Sequence, residues 1–257
     1  MEKKLVFLDI DGTILDEEKN IPDSALEAIS LLKKNGIHVA IATGRAPFMF
    51  QTLCKDLSID SYISFNGSYI VDKGEVIYKN PLSKSHLQTL ESHAANSKHP
   101  MVFLDHKTAR SNHEEHPYIV ESIGSLKLPY PPYQPTFYQE KEIFQALLFC
   151  EEEHESTYLD THKDFDFVRW HPYSIDVLPL GGSKARGIEE LLKKWDIKIE
   201  NTFAFGDGLN DLEMLAYVGT GVAMGNAVDP AKKVADLVTN NVHEDGLYHG
   251  LKKLGLI

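Results

Sequence analysis

The sequence predicts an α/β fold class: a doubly wound parallel sheet whose chain is interrupted by an inserted α+β module. Three observations lead there. Short, fully apolar runs alternate with amphipathic helix-length segments as far as about Pro81 and again after Gly182, which implies βαβ crossovers. The stretch between has another texture, with most of the histidines, a Pro-Tyr cluster at 128–133 and strands spaced closely enough to pair as hairpins. Several strand-like runs end in polar residues, which gathers reactive groups at one edge of the sheet.

Leu5-Val6-Phe7-Leu8 reads as a buried strand emerging at Asp9 and Asp11, with Gly12 free to turn tightly or approach a ligand closely. Asn20-Ile21-Pro22-Asp23 reads as a helix start; Leu26, Ile29, Leu32 and Lys33 follow at helical spacing, and Gly36 is placed to stop the helix. Residues 37–42 form a second buried strand ending in Thr43-Gly44-Arg45. A helix over 48–57 and a strand over 62–65 come next. Asn66-Gly67 then leads into a hairpin whose strands, 69–71 and 76–78, meet about the turn 72–75. In the middle stretch, helices are expected near 83–96 and 114–123, and strands at 146–150, 165–170 and 174–178. Beyond Gly181-Gly182 the pattern predicts a helix at 183–195, a strand at 202–205, a helix at 209–217, a strand at 221–223 and a last helix near 244–254. The simplest organisation makes 1–81 and 183–257 one core and 82–182 an inserted domain, with Pro81 and Gly181-Gly182 as paired hinges.

At 257 residues the chain can bury a full core and still carry an insert. A formal net charge of −12 argues against a nucleic-acid surface, which needs a basic patch. No apolar run approaches a membrane span, and the N-terminus lacks a signal segment, so no membrane partner is expected. Cys54 and Cys150 have neither metal nor redox spacing and read as buried thiols in a reducing, cytoplasmic setting.

Two carboxylates as close as Asp9 and Asp11 repel each other, and a divalent cation taking oxygen ligands relieves that. An isolated Asp-x-Asp would be read as a solvated turn. Here a second strand, Phe203-Ala204-Phe205, ends in Gly206-Asp207-Gly208-Leu209-Asn210-Asp211. In open α/β sheets ligands bind at the carboxyl ends of the strands, so Asp207 can meet Asp9 and Asp11 over one crevice. Thr43 offers a hydroxyl, Gly44 a backbone N–H before a helix, and Lys184 a point charge, a set that suits a phosphoryl group.

Asp9-Ile10-Asp11-Gly12-Thr13, Thr43-Gly44-Arg45, Lys184 and the run from Gly206 to Asp211 resemble the four motifs of the haloacid dehalogenase superfamily, in its phosphatase branch. Asn66-Gly67, the run from Gly221 to Ala227, Val238-Thr239 and Glu244-Asp245-Gly246 are similar to the Cof-type subfamily. The resemblance implies a Rossmann-like doubly wound core, with 82–182 as a large inserted cap that closes over the site and sets substrate choice. It implies Mg2+-dependent hydrolysis of a small phosphomonoester, a sugar phosphate or similar metabolite, through an aspartyl-phosphate. Asp9 would be the nucleophile and Asp11 the acid and base. Asp9, Asp11 (through its carbonyl) and Asp207 would hold the metal, with Asp211 in its outer shell. Ile10, Thr43, Gly44, Lys184 and Asn210 would hold the phosphate. Thr13 would support the turn, and Arg45 would either contact substrate or form a surface salt bridge. A monomer or weak homodimer is expected.

Two rival functions are a phosphomutase, which shares the nucleophile, and a non-catalytic regulatory module, which the presence of Asp9, Asp11 and Asp207 disfavours. His106, His113, His116 and His171 lack zinc-ligand spacing with cysteine and read as surface histidines. Tyr130, Tyr133 and Phe137 read as packing residues of the insert.

Overall fold

The structure, a computed structural model, describes residues 3–257. In chain order the elements are β1 (Leu5–Leu8), α1 (Asp23–Lys34), β2 (His38–Ala42), α2 (Gln51–Asp56), β3 (Tyr62–Ser64), β4 (Tyr69–Asp72) and β5 (Glu75–Lys79). Then come α3 (Lys84–Asn96), β6 (Met101–Leu104), β7 (Ala109–Ser111), α4 (Pro117–Ser125), α5 (Phe137–Glu140), β8 (Gln145–Phe149), α6 (Glu152–Thr161), β9 (Phe165–His171) and β10 (Ser174–Pro179). The chain ends with α7 (Lys184–Trp195), β11 (Thr202–Gly206), α8 (Leu212–Tyr217), β12 (Thr220–Ala223), α9 (Asp229–Val234), β13 (Leu237–Val238) and α10 (Gly246–Lys253).

Two compact units result. One gathers the described residues up to Arg45, then Met49–Lys79 and Ser183–Ile257; the other gathers Ala46–Phe48 and Asn80–Gly182. The first unit is built on an eight-stranded sheet of order β13-β12-β11-β1-β2-β3-β4-β5. Pairing is parallel from β13 to β3 and antiparallel through β4 and β5. β1 is apolar at every position because both faces of a parallel strand are covered. Val6 and Leu8 face one layer with Ala28, Ile29 and Leu32 of α1 and Leu247 and Leu251 of α10. Leu5 and Phe7 face the other, with Ile188 and Leu191 of α7 and Met214 of α8. Since β2 pairs on one side of β1 and β11 on the other, the chain reverses direction across the sheet at β1, where a crevice opens.

The second unit is an antiparallel sheet, β7-β6-β8-β10-β9. Phe103, Leu148, Ile175 and Val177 pack on Leu87, Leu90 and Ala94 of α3 and on Tyr158 of α6.

Several expectations shift. The buried stripe of α1 is Ala25, Ala28, Ile29 and Leu32, whereas Leu26 is exposed, because the 3,4 spacing that faces the core starts one residue earlier. The helix expected from 48 is a 3-10 turn, Pro47–Met49, followed by the shorter α2. β3 stops at Ser64, since Phe65, Asn66 and Gly67 all take positive φ. α4 starts at Pro117, a residue favoured in the first turn, with the His116 ring accepting the Tyr118 N–H at 3.2 Å. Met101–Leu104, Ala109–Ser111 and Glu152–Thr161 are regular elements that the sequence pattern did not reveal. Cys150 is buried as expected, but Cys54 is only half-buried; both are free thiols. Among the described residues no helix is long and apolar enough to cross a membrane.

Candidate active site

The carboxyl ends of β1, β2 and β11 lead into a cavity of about 540 Å³ lined by Asp9, Asp11, Thr43, Gly44, Arg45, Asp207 and Asn210, among others. All of these belong to the first unit. Beneath it lies Lys184, the first residue of α7, with its side chain fully buried. Ser183 caps that helix by accepting the Arg186 N–H, which fixes where Lys184 leaves the backbone. The Lys184 ammonium donates to Asp9 Oδ1 and to Asp211 Oδ1, each at 2.6 Å.

Asp211 has both oxygens engaged. Its Oδ2 accepts the backbone N–H groups of Asp207 and Gly208 at 2.9 and 2.8 Å, so it braces the loop after β11. Asp9, Asp207 and Asp211 bring carboxylate oxygens within 4.8 Å of one another. Gly12, at φ +71°, makes this approach possible: a Cβ there would lie 2.0 Å from Asp207 Oδ2.

Charge in the cluster is unbalanced. Burial pushes the Asp9 carboxyl up to about 8, with Asp211 and Asp11 adding to the shift and Lys184 opposing it. Burial and then Asp211 push Asp207 to about 6. Burial would lower Lys184, yet the Asp211 and Asp9 carboxylates outweigh it and keep the ammonium charged. One buried cation thus faces three carboxylates, and protons make up part of the deficit. A hard dication fits this donor set. Among the described residues, Asp9 Oδ2 and Asp207 Oδ1 accept no hydrogen bond, whereas Asp211 is fully engaged and can act only from the outer shell.

Asp11 is held differently. Arg45 donates to it through Nε at 2.8 Å and Nη2 at 2.6 Å, and Lys19 Nζ adds a contact at 2.6 Å. Burial alone would raise the Asp11 carboxyl, but Arg45 and then Lys19 outweigh it and hold it below the usual range. Arg45 is therefore an ion-pair partner of Asp11. The Thr43 hydroxyl accepts the Arg45 N–H at 3.1 Å. Gly44 lines the cavity, but the helix expected directly after it is replaced by the 3-10 turn, so no helix N-terminus stands behind it. Asn210 also lines the cavity and donates to Asn66 Oδ1 at 3.1 Å. The Ile10 side chain is buried in the core, which leaves only its main chain for a ligand. Thr13 Oγ1 is buried without a hydrogen-bond partner among the described residues.

Sequence reasoning missed Asn66, Asn226 and Lys19. Asn226 donates to Gly12 O and to Asp207 Oδ2 at 2.9 and 3.2 Å. Asn66 and Asn226 each stand in a Gly/Asn pair that marks a turn and within stretches that resemble the Cof-type subfamily, but neither signal assigned them a role in the site.

Among the described residues His154 of the insert lies with Glu151 and Glu153, all exposed, one ligand atom of each within 4.8 Å of the others, and none of His106, His113, His116 and His171 joins such a group. His116 caps α4, and His171 Nδ1 meets Ser122 Oγ at 2.9 Å. Of the aromatic trio, Phe137 packs in the insert core, Tyr130 is half-buried, and Tyr133, at 51% exposure, does not pack as expected.

Known proteins share this architecture. YkrA of Bacillus subtilis (strain 168), whose name assigns it provisionally as a phosphatase, is 50% identical over the full length of both chains. YcsE of the same organism, named a 5-amino-6-(5-phospho-D-ribitylamino)uracil phosphatase, is 30% identical over 97% of this chain and 94% of its own. A sugar phosphatase of haloacid dehalogenase subclass IIB superposes with a TM-score of 0.86 at 32% identity, over 99% of this chain and all of its own. The family profile described as haloacid dehalogenase-like hydrolase matches residues 6–251, and the chain belongs to that family.

Proposed function

We propose that this phosphoric monoester hydrolase cleaves a small phosphorylated metabolite, a sugar phosphate or a similar compound, with Mg2+ and through an aspartyl-phosphate on Asp9. The observation that carries the reading is the convergence of the Asp9, Asp207 and Asp211 carboxylates at the mouth of the β1/β11 crevice, with the buried Lys184 ammonium pairing Asp9 and Asp211. Relatives named as a sugar phosphatase and as a pyrimidine-ribityl phosphate phosphatase support the substrate class.

Asp9 attacks phosphorus through a carboxylate oxygen as the ester P–O bond breaks, which divides one difficult displacement into two easier ones. Asp11 gives a proton to the departing alkoxide and, in the second step, takes one from the water that displaces Asp9 from phosphorus. The Arg45 and Lys19 contacts hold Asp11 in the base form, so the proton-donating step requires them to loosen. Lys184 neutralises phosphoryl oxygens, while Thr43, Gly44, Asn210 and the Ile10 main chain orient the group. Asp9, the Asp11 carbonyl and Asp207 would hold Mg2+, which when bound would neutralise charge at the transferring phosphoryl group. Residues 82–182 act as the cap that selects the leaving group, since every group assigned to phosphoryl chemistry comes from the other unit.

The test is phosphate release from a panel of phosphomonoesters with Mg2+ or with excess chelator. Turnover of at least one sugar phosphate is expected with Mg2+ and none in chelator. Asp9→Asn should abolish release while preserving the unfolding midpoint, and Asp11→Asn should retain phosphorus on the protein. Release by Asp9→Asn at the wild-type rate would overturn the covalent route.

A further inference from the structure

Asn226 stands in the loop between β12 and α9 and faces the cavity. Its side-chain amide joins three separate stretches of chain. Nδ2 donates to the Gly12 carbonyl at 2.9 Å, just after β1, and to Asp207 Oδ2 at 3.2 Å, just after β11. Oδ1 accepts the Val242 N–H at 2.8 Å, in the 3-10 turn that precedes α10.

Asp207 depends on this contact. Among the described residues, Asn226 is the one donor to its carboxylate, which stands close to Asp9 and Asp211 and shares their electrostatic strain. Anchored at Oδ2, the carboxylate keeps Oδ1 free of hydrogen bonds from the described residues. Left unanchored, a carboxylate pressed by like charges turns away or takes up a proton. The anchor is itself firmly held, because the Val242 N–H fixes which end of the amide faces Asp207. Gly12 completes the interlock: its missing side chain leaves the space that Asp207 Oδ2 fills, and the same space lies 3.0 Å from Asn226 Nδ2.

We propose that Asn226 is a positioning residue that orients Asp207 toward the divalent cation and sets the affinity of the site for it. The proposal rests on the reading that Asp207 takes the cation. Asn226 itself touches neither substrate nor metal and acts through Asp207. Outer-shell partners of this kind commonly change metal affinity by about 10–100-fold.

The test is calorimetric titration of Mg2+ into the wild type, Asn226→Ala and Thr239→Val, without substrate. Thr239 Oγ1 donates to the Gly246 carbonyl at 2.7 Å, so its loss loosens the same C-terminal segment without touching Asp207. Asn226→Ala should weaken Mg2+ binding about 10-fold or more, and Thr239→Val should stay within about 2-fold of the wild type. In turnover, the Mg2+ concentration for half-maximal activity should rise in parallel for Asn226→Ala, with KM for the phosphomonoester unchanged at saturating Mg2+. Should Asn226→Ala fail to fold in chelator, the near-isosteric Asn226→Leu takes its place. Wild-type Mg2+ affinity in the Asn226 variant, or equal weakening by Thr239→Val, would overturn the proposal. A wild type that binds no Mg2+ would instead refute the cation reading beneath it.

Discussion

Lys184 is the residue on which the buried charges depend, because among the described residues its ammonium is the only cation in contact with both Asp9 and Asp211. Lys184→Met keeps the length of the side chain but leaves two buried carboxylates without their partner. It should destabilise the fold by about 3–5 kcal/mol near neutral pH, read from urea unfolding, because breaking a buried pair strands the other charge. The loss should shrink in acid, where those carboxylates are protonated. The sign of the pH dependence follows from Asp9 and Asp207, whose carboxyls sit at about 8 and about 6 in the ion-free fold against an ordinary 3.8. The folded state therefore binds more protons than the unfolded chain between these values, and this contribution to stability is lost as pH rises through about 6 and about 8. On the proposed cation reading Mg2+ would take the place of those protons, and the rise in melting temperature on adding it should grow from about pH 5 to about pH 8. Asp207→Asn should flatten that growth. A Mg2+ effect independent of pH in the wild type would refute the charge-deficit account.

At the scale of elements, α7 is the part that must be placed most accurately, since Lys184 is its first residue. The helix docks closely because Gly187 has no side chain: a Cβ there would lie 2.5 Å from Ile63 Cγ2 and 3.1 Å from Gly67 Cα. Gly187→Ala should cost about 1–3 kcal/mol through overpacking and should lower kcat as Lys184 is lifted off Asp9. Denaturant unfolding and turnover measured on the same sample check both effects, and an unchanged kcat in a destabilised variant would separate docking from chemistry. The elements that were legible in the sequence share one property: their pattern is local. β1 is apolar throughout, β2 and β11 are apolar after their first residues, His38 and Thr202, all three lead into polar residues, and α7 has a clear apolar stripe through Ile188, Leu191 and Leu192. α6 escaped notice because Tyr158 is its one buried residue, and β13 because it is two residues long. The same limit applies to the site. Asp9 and Asp207 announce themselves at strand ends, whereas the hold of Asn66 on Asn210 and of Asn226 on Gly12 joins residues far apart in sequence.

At the scale of the whole molecule, the groups assigned to chemistry come from one unit and the other unit is a separate antiparallel sheet with its own core. Exchanging residues 82–182 for the insert of a related phosphatase should therefore change the order of preferred phosphomonoesters, with Asp9 and Mg2+ still required. kcat/KM across one substrate panel for parent and chimera is the measurement, and an unchanged ranking would sink the assignment of specificity to the insert. The centre of the first unit's sheet also bears on how the chain is made. β1 pairs with β2, which follows soon after it, but its other edge pairs with β11, which starts at Thr202. Asp9 and its partner Lys184 are similarly far apart in the chain. At synthesis rates of roughly 5–20 residues per second, that edge of β1 stays unpaired for roughly 10–40 s on the ribosome. Unpaired apolar edges template aggregation, so the nascent chain passes through an interval in which its most reactive strand is also its stickiest. Slowing translation between β5 and β11 should lower the soluble yield, and the second unit, all of whose residues precede Ser183, has time to fold before the sheet around Asp9 can close.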